Sequence, residues 1–272
     1  MDAHRLAAYL LGFAVSLIAI FIGLLVERPH PDSEGKPAAV SLNLFCTFIY
    51  SLVAGLLGPA LQGIVVLLVN AAGGGWIALP DNGWGLIPAF AVYFLVADFA
   101  EYSFHRFQHR LPVLWSMHSL HHSDASLNIS TTGRHFWIEP VIKTFTIYLL
   151  LALLLKASPV IVGAYLIVSL YNYFPHMNVR VGFGPLATVL ISPQYHRLHH
   201  SSLPEYFDCN FAGLLPVFDV IFGTYREPKA NEYPPTGLDS GDAPRGLSEV
   251  LYWPLRHVVR RLTVGRSHCR SS

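Results

Sequence analysis

"LIPAFAVYFLVADFAEYSFHRFQH", residues 86–109, begins as a membrane span and ends in a row of acids and histidines. From Leu86 to Phe104 it carries only two charges, Asp98 and Glu101, and as a helix it is long enough to cross most of a hydrocarbon core of about 30 Å. Around a helix of 3.6 residues per turn, Asp98, Glu101, His105 and His109 fall at about 0°, 300°, 340° and 20°. Two carboxylates and two imidazoles therefore share one face at the end of a span. Ionisable groups inside a span are costly and mark function. A helix in lipid with chemistry at its polar end is the element around which the rest is arranged.

The composition agrees. Of 272 residues, 53% are hydrophobic and 13% charged, where a soluble domain carries about 25% charged residues. Between Lys36 and Asp98 the only charge is Asp81. "LAAYLLGFAVSLIAIFIGLLV", residues 6–26, is too long and too uniformly apolar for a signal-peptide core, and predicts a retained span. Residues 40–69 predict either one span kinked at Gly58-Pro59 or one span plus a shorter piece toward Leu79. Pro140–Leu155 and Pro159–Phe174 are each roughly 24 Å long as helix, short for a span, and predict a hairpin that dips in and comes back. The loop "AAGGGWIALPDNGWG", residues 71–85, has no Lys or Arg and belongs on the non-cytoplasmic side. Counting crossings from there puts the histidine-bearing segments in the cytoplasm. The basic tail (Arg256, Arg260, Arg261, Arg266, Arg270) points the same way. The expected fold is all-α: a polytopic, multi-pass integral membrane helical bundle with a cytoplasmic-side, histidine-rich metal-binding cap.

A net charge of +1 gives no reason to expect nucleic acid as a partner. Cys46, Cys209 and Cys269 form no CxxC pair, which argues against a disulfide framework or a cysteine zinc site.

Three histidine boxes follow: "HRFQH" (His105, His109), "HSLHH" (His118, His121, His122) and "HRLHH" (His196, His199, His200). Positions i, i+3 and i+4 share a helix face, so each box can aim two or three rings at one point. Neutral imidazole is the commonest side-chain metal ligand. Eight rings, with His176 upstream of the third box, exceed what one ion uses, so the count implies two metals. Asp98 and Glu101 either orient ligand rings by accepting their second N–H, or cap and pair with Arg106 or Arg110. His135, in "TTGRH", is either a ligand or part of a polar surface loop. His4, His30, His257 and His268 lack ligand spacing and are expected to be structural. HExxH and mixed His/Cys sets, which hydrolytic zinc sites use, are absent. An all-nitrogen pair of metals beside a lipid-facing bundle suits oxygen chemistry on a lipid. A non-catalytic membrane metal carrier or sensor is the alternative.

At these boxes the chain resembles the fatty acid hydroxylase / sterol desaturase superfamily of membrane di-iron enzymes, recognised by HxxxH, HxxHH and HxxHH in this order. "FPHMN", with His176, and "NFAGLLPVFDVIFGTYREP", residues 210–228, extend the resemblance over about residues 90–228. Phe211-Ala212 stands where Tyr-Gly is usual and Phe218 where Trp is common. Arg180 occupies the place of a second histidine in some members, leaving one metal with fewer protein ligands or His135 in its stead. The resemblance implies two iron ions bound by the nine boxed and upstream histidines, O₂ as co-substrate, and hydroxylation or desaturation of a lipid such as a sterol or fatty acyl chain. With no GxGxxG or CxxCH in the chain, electrons would come from a separate donor of ferredoxin, cytochrome b5 or flavin reductase type. The expected organisation is N-terminal membrane helices and loop over 1–85, a di-iron domain over 86–228 and a cytoplasmic tail over 229–272.

Overall fold

The structure is a computed structural model and describes residues 3–28, 37–229 and 231–256. Among the described residues every regular element is helical, and two β-bridges, Ile77 with Leu155 and Ser201 with Thr236, stand alone. Three helices are long and apolar enough to cross a membrane: α1 (Ala3–Glu27), α2 (Pro37–Ala71) and α3 (Leu86–Arg110).

Helix α2 resolves the alternatives left at Gly58-Pro59. It is one helix of 35 residues that runs through Pro59. At 1.5 Å per residue this is about 52 Å, well beyond one hydrocarbon core. Its buried residues, Leu42, Asn43, Cys46 and Thr47, all lie near its start, while Leu56, Val66 and Leu67 farther along are exposed. The start of α2 thus belongs to the polar cap, and the remainder presents an apolar surface suited to lipid.

The hairpin reaches farther than its length suggests. Helix α5 (Glu139–Lys143) passes through one π turn (Thr144–Tyr148) into α6 (Leu149–Leu154), and α7 (Pro159–Tyr171) returns. Its tip joins the loop between α2 and α3, at the end of α3 opposite the histidines. The Trp76 and Ile77 N–H groups donate to the carbonyls of Leu153 and Leu154, and the Lys156 N–H donates to Ile77. A Cβ on Gly75 would lie 2.7 Å from the Leu155 backbone, so the two chains approach this closely only at glycine.

The cap is built from short helices with strong local start signals. Helix α4 (Pro112–His122) and helix α8 (Pro193–His199) each begin with proline at a first-turn position, and the Ser192 side chain accepts from the Tyr195 N–H to cap α8. Two polar residues tie the first two helices into it. Glu27, the last residue of α1, is buried and accepts the N–H groups of Ile129 and Asn178, each at 2.8 Å. Asn43 of α2 donates to Asp124 and Ser130 at 2.8 and 3.0 Å. Helix α9 (Val217–Ile221) carries the buried Asp219. The described part of the expected tail folds back through α10 (Leu247–Leu251). Trp253 is buried beside Leu42, Cys46 and Leu120, and its Nε1 donates to Ser119 at 2.9 Å.

Candidate metal centre

The nine histidines expected as ligands converge, and they sort into two groups. His105, His109, His118, His122 and His199 form one; His121, His176, His196 and His200 form the other. Within each group one ring nitrogen per residue lies within 4.8 Å of all the others. The boxes do not each serve one point, as the i, i+3, i+4 spacing suggests. His118 and His122 enter the five-ring group while His121 between them enters the four-ring group. In the third box His196 and His200 enter the four-ring group and His199 crosses to the five-ring group. Adjacent helical residues project about 100° apart, so the His-His doublet of each HxxHH box contributes one ring to each group. The stacked rings of His122 and His200, 4.4 Å apart, join the two groups.

The ring geometry fits metal ions. His105 Nδ1 bonds the Phe211 carbonyl and His199 Nδ1 the Cys209 carbonyl, each at 2.8 Å, while His176 Nδ1 bonds the Asn172 carbonyl at 3.0 Å. A carbonyl only accepts, so these Nδ1 atoms carry the protons and their Nε2 atoms present bare lone pairs. Those lone pairs converge. His105 and His118 Nε2 are 3.0 Å apart, as are His176 and His196, and His121 to His176 is 3.2 Å. His199 Nε2 is buried without a hydrogen-bond partner. Two nitrogens bound at about 2.1 Å with a right angle between them lie about 3.0 Å apart. Two bound cations would satisfy what are otherwise buried lone pairs in mutual repulsion.

Burial first, and neighbouring rings second, push His118, His121, His122, His196 and His200 well below the ordinary histidine range. Burial takes His176 to about 3 and His199 to about 4. The rings are therefore in the neutral, ligating form at pH 7. The sign for the metal-free chain follows. Once unfolded, each ring binds a proton near pH 6.5; folded, it does so only far below that. The unfolded state then holds more protons, so stability is full above about pH 7 and falls with pH through the range from about 6.5 to 3, by up to about 1.4 kcal/mol per pH unit for each ring. Thermal melts of the chelated protein should show a midpoint dropping steeply between pH 7 and pH 5. A flat midpoint would contradict the buried, neutral rings.

The acids behave differently from expectation. Asp98 accepts the Leu215 N–H at 2.9 Å, and Glu101 pairs with Lys143 at 3.0 Å; neither carboxylate bonds a ligand ring or Arg106 or Arg110. Glu101, one turn from His105, is taken by Lys143 instead; for Asp98 the reason is axial distance. Asp98 lies seven residues, about 10 Å, down the axis from His105, so sharing a face does not bring it into reach. Backbone carbonyls, invisible to residue patterns, take that role instead. His135 joins neither group and is no surface residue. Its ring stacks on His121 at 4.7 Å, with Nδ1 3.1 Å from Glu139, and together with Glu139 and His118 it makes a third convergence of ligand atoms. Glu139, buried under this pair, was not marked by any box. The side chain of His4, and His30, His257 and His268, lie outside the described residues.

Beside the rings lies a cavity of about 390 Å³, within the size range of small-molecule sites. His105, His118, His121, His176 and His196 form one part of its wall; Tyr93, Ile147, Leu151 and Tyr165 form another. Glu101, Lys143, Tyr50 and Tyr148 also line it, so its wall carries polar groups besides the histidines.

The comparisons with known proteins bear on the same stretch. Residues 90–224, which hold all nine converging histidines, match the fatty acid hydroxylase family model. The chain is 33% identical over 229 residues to an alkylglycerol monooxygenase of Danio rerio, an overlap covering 82% of this chain and 47% of that protein. It is 28% identical to the ornithine lipid hydroxylase OlsE of Rhizobium tropici, over 69% of this chain and 56% of the relative. A very-long-chain aldehyde decarbonylase of Arabidopsis thaliana is also 28% identical, over 66% and 30%. The matched region thus spans between 30% and 56% of these relatives' lengths. No solved structure matches the chain. With its three boxes in order, their rings gathered into two metal-sized groups and the family's domain laid over them, this membrane protein belongs to the fatty acid hydroxylase / sterol desaturase superfamily.

Proposed function

We propose that the protein is an O₂-dependent, di-iron hydroxylase of a membrane lipid that draws its electrons from a separate protein. The observation that carries this reading is the cavity walled by rings of both histidine groups on one side and by helices of the apolar bundle on the other. When bound, two irons would supply the reduction of O₂ needed to break an unactivated C–H bond. The overall balance is R–H + O₂ + 2 e⁻ + 2 H⁺ → R–OH + H₂O, with the electrons from the external donor. The chain's own part is to hold the rings in the neutral form, place one carbon beside them and keep competing chemistry out.

The cavity wall favours a lipid whose reacting carbon lies next to a polar group. A bare acyl chain would leave the Lys143–Glu101 ion pair and the tyrosine hydroxyls facing hydrocarbon, which is costly. An ether, hydroxyl or amide of a headgroup can partner them. The names of the alkylglycerol and ornithine lipid relatives point to substrates of this kind. For topology we favour five crossings, with the hairpin as the last two, and the histidine cap in the cytoplasm. In support, the hairpin tip joins the Lys/Arg-free 71–85 loop, while Arg106, Arg110 and Arg197 lie on the helices of the opposite end.

Lipid mass spectrometry of cells with and without the gene tests the reaction. A gain of 16 mass units in a polar-headed lipid supports hydroxylation, a loss of 2 indicates desaturation, and metal binding with no lipid change would leave a carrier or sensor. Lys143→Met tests the cavity. It should keep two metals per chain while lowering kcat/KM for the polar-headed lipid by about 10–100-fold, the range of a lost charged hydrogen bond. Unchanged kcat/KM would remove Lys143 from substrate recognition.

A further inference from the structure

Asp219 holds no ring, yet it is fully buried and takes four hydrogen bonds. Its carboxylate accepts the amide N–H groups of Phe211 (2.9 Å) and Ala212 (2.8 Å), the Thr224 hydroxyl (2.6 Å) and the Tyr195 hydroxyl. The Ala212 N–H and the Phe211 carbonyl belong to one planar peptide. One edge of that plane meets Asp219; the other receives the proton of His105 Nδ1 at 2.8 Å. The neighbouring Cys209–Asn210 peptide repeats the arrangement. Its N–H donates to the Thr224 carbonyl at 2.9 Å, and its carbonyl accepts from His199 Nδ1 at 2.8 Å. Thr224 is itself anchored to Asp219.

The loop needs such anchoring. Asp208 and Asn210 adopt φ of 54° and 56°, the left-handed region that residues other than glycine rarely occupy. The Asn210 side chain donates to the Tyr195 and Arg226 carbonyls and accepts the Arg226 N–H. Asp98 braces the same loop farther on, at Leu215. Both ring-orienting carbonyls serve the five-ring group. In the four-ring group the His176 ring is oriented by Asn172, on a different segment.

We propose that Asp219 is a positioning residue for one of the two metals: through two peptide planes it aims the carbonyls that fix the tautomer and direction of His105 and His199. This rests on the two-metal reading. Partners that orient ligand rings change metal affinity by about 10–100-fold when removed, and here the change is confined to one group.

Cobalt(II), which imidazole ligands accept readily, is the probe, titrated into two purified membrane-protein backgrounds and followed by its visible absorption. His121→Ala with His196→Ala leaves the five-ring group; His118→Ala with His122→Ala leaves the four-ring group. Adding Asp219→Asn should weaken cobalt binding about 10–100-fold in the first background and leave it unchanged in the second. Tyr195→Phe, which cuts the link to α8 and spares both amide bonds, should leave cobalt affinity unchanged in both. Equal loss in both backgrounds, including loss through misfolding, overturns the proposal, as does no loss in either or a Tyr195→Phe effect equal to that of Asp219→Asn. A parent chain that binds fewer than two cobalt ions would instead refute the two-metal reading beneath it.

Discussion

His121→Ala should bind about one metal per chain in place of two and form product only at background level. His121 is one of four rings in its group, and its removal leaves His176, His196 and His200. His176 is held by Asn172, and the other two sit on α8 and its C-cap, so none can swing to fill the gap. His135 is the nearest other ring, but it lies parallel to His121 with Nδ1 engaged by Glu139. His199→Ala makes an informative contrast. Its group keeps four rings, so metal content falls less than in His121→Ala while turnover is still lost, because the ring set around that metal has changed. The measurements are iron per chain and product per mole of iron. His257→Ala, at a position without ligand spacing, should match the parent in both. Full activity in His121→Ala would mean that the converging rings do not build the reacting site.

Arg134→Met should destabilise the protein by about 3–5 kcal/mol, the usual cost of stranding a buried charge. Arg134 is 3% exposed and Asp124, 3.9 Å away, is 2% exposed. The guanidinium donates to the Leu120 carbonyl (2.9 Å), the Ser123 hydroxyl (2.7 Å) and Asn43 Oδ1 (3.0 Å). Those bonds fix α4 from behind, on either side of the His121-His122 doublet, and tie it to α2. Removing the fork takes the counter-charge from Asp124, which keeps its hydrogen bonds from Asn43, Thr131 and the Ser126 N–H, and takes one donor each from Leu120, Ser123 and Asn43. Lysine restores charge but not the forked geometry, so Arg134→Lys should recover only part of the loss. A thermal midpoint reading of order 10 °C lower is expected for Arg134→Met. A change within 2 °C would show that the pair contributes little.

Much of this was open to view in the primary structure. Apolar runs over 6–26, 40–69 and 86–104 marked the helices long and apolar enough to span, because lipid demands about twenty consecutive apolar residues whatever their neighbours are. The nine converging histidines were marked as well, since their clustering at i, i+3 and i+4 is visible as local spacing. Asp98 shows where such reading stops. Angle around an axis is legible in sequence, but reach to a ring depends on height along it and on which helix crosses there.

The division of the rings into five and four, and the crossing of His121 and His199 to the opposite group, required the packing of α3, α4 and α8 against one another. So did the burial of Glu27, Arg134 and Asp219, each of which reads locally as a loop or surface charge. The sequence by itself determined which histidines would gather into one cluster and that the bundle would be helical and apolar. Tertiary structure alone decided which of the two ring groups each histidine would join and which backbone carbonyl would aim it. Periodicity is a property of one helix, whereas a coordination site is a property of the angles between several.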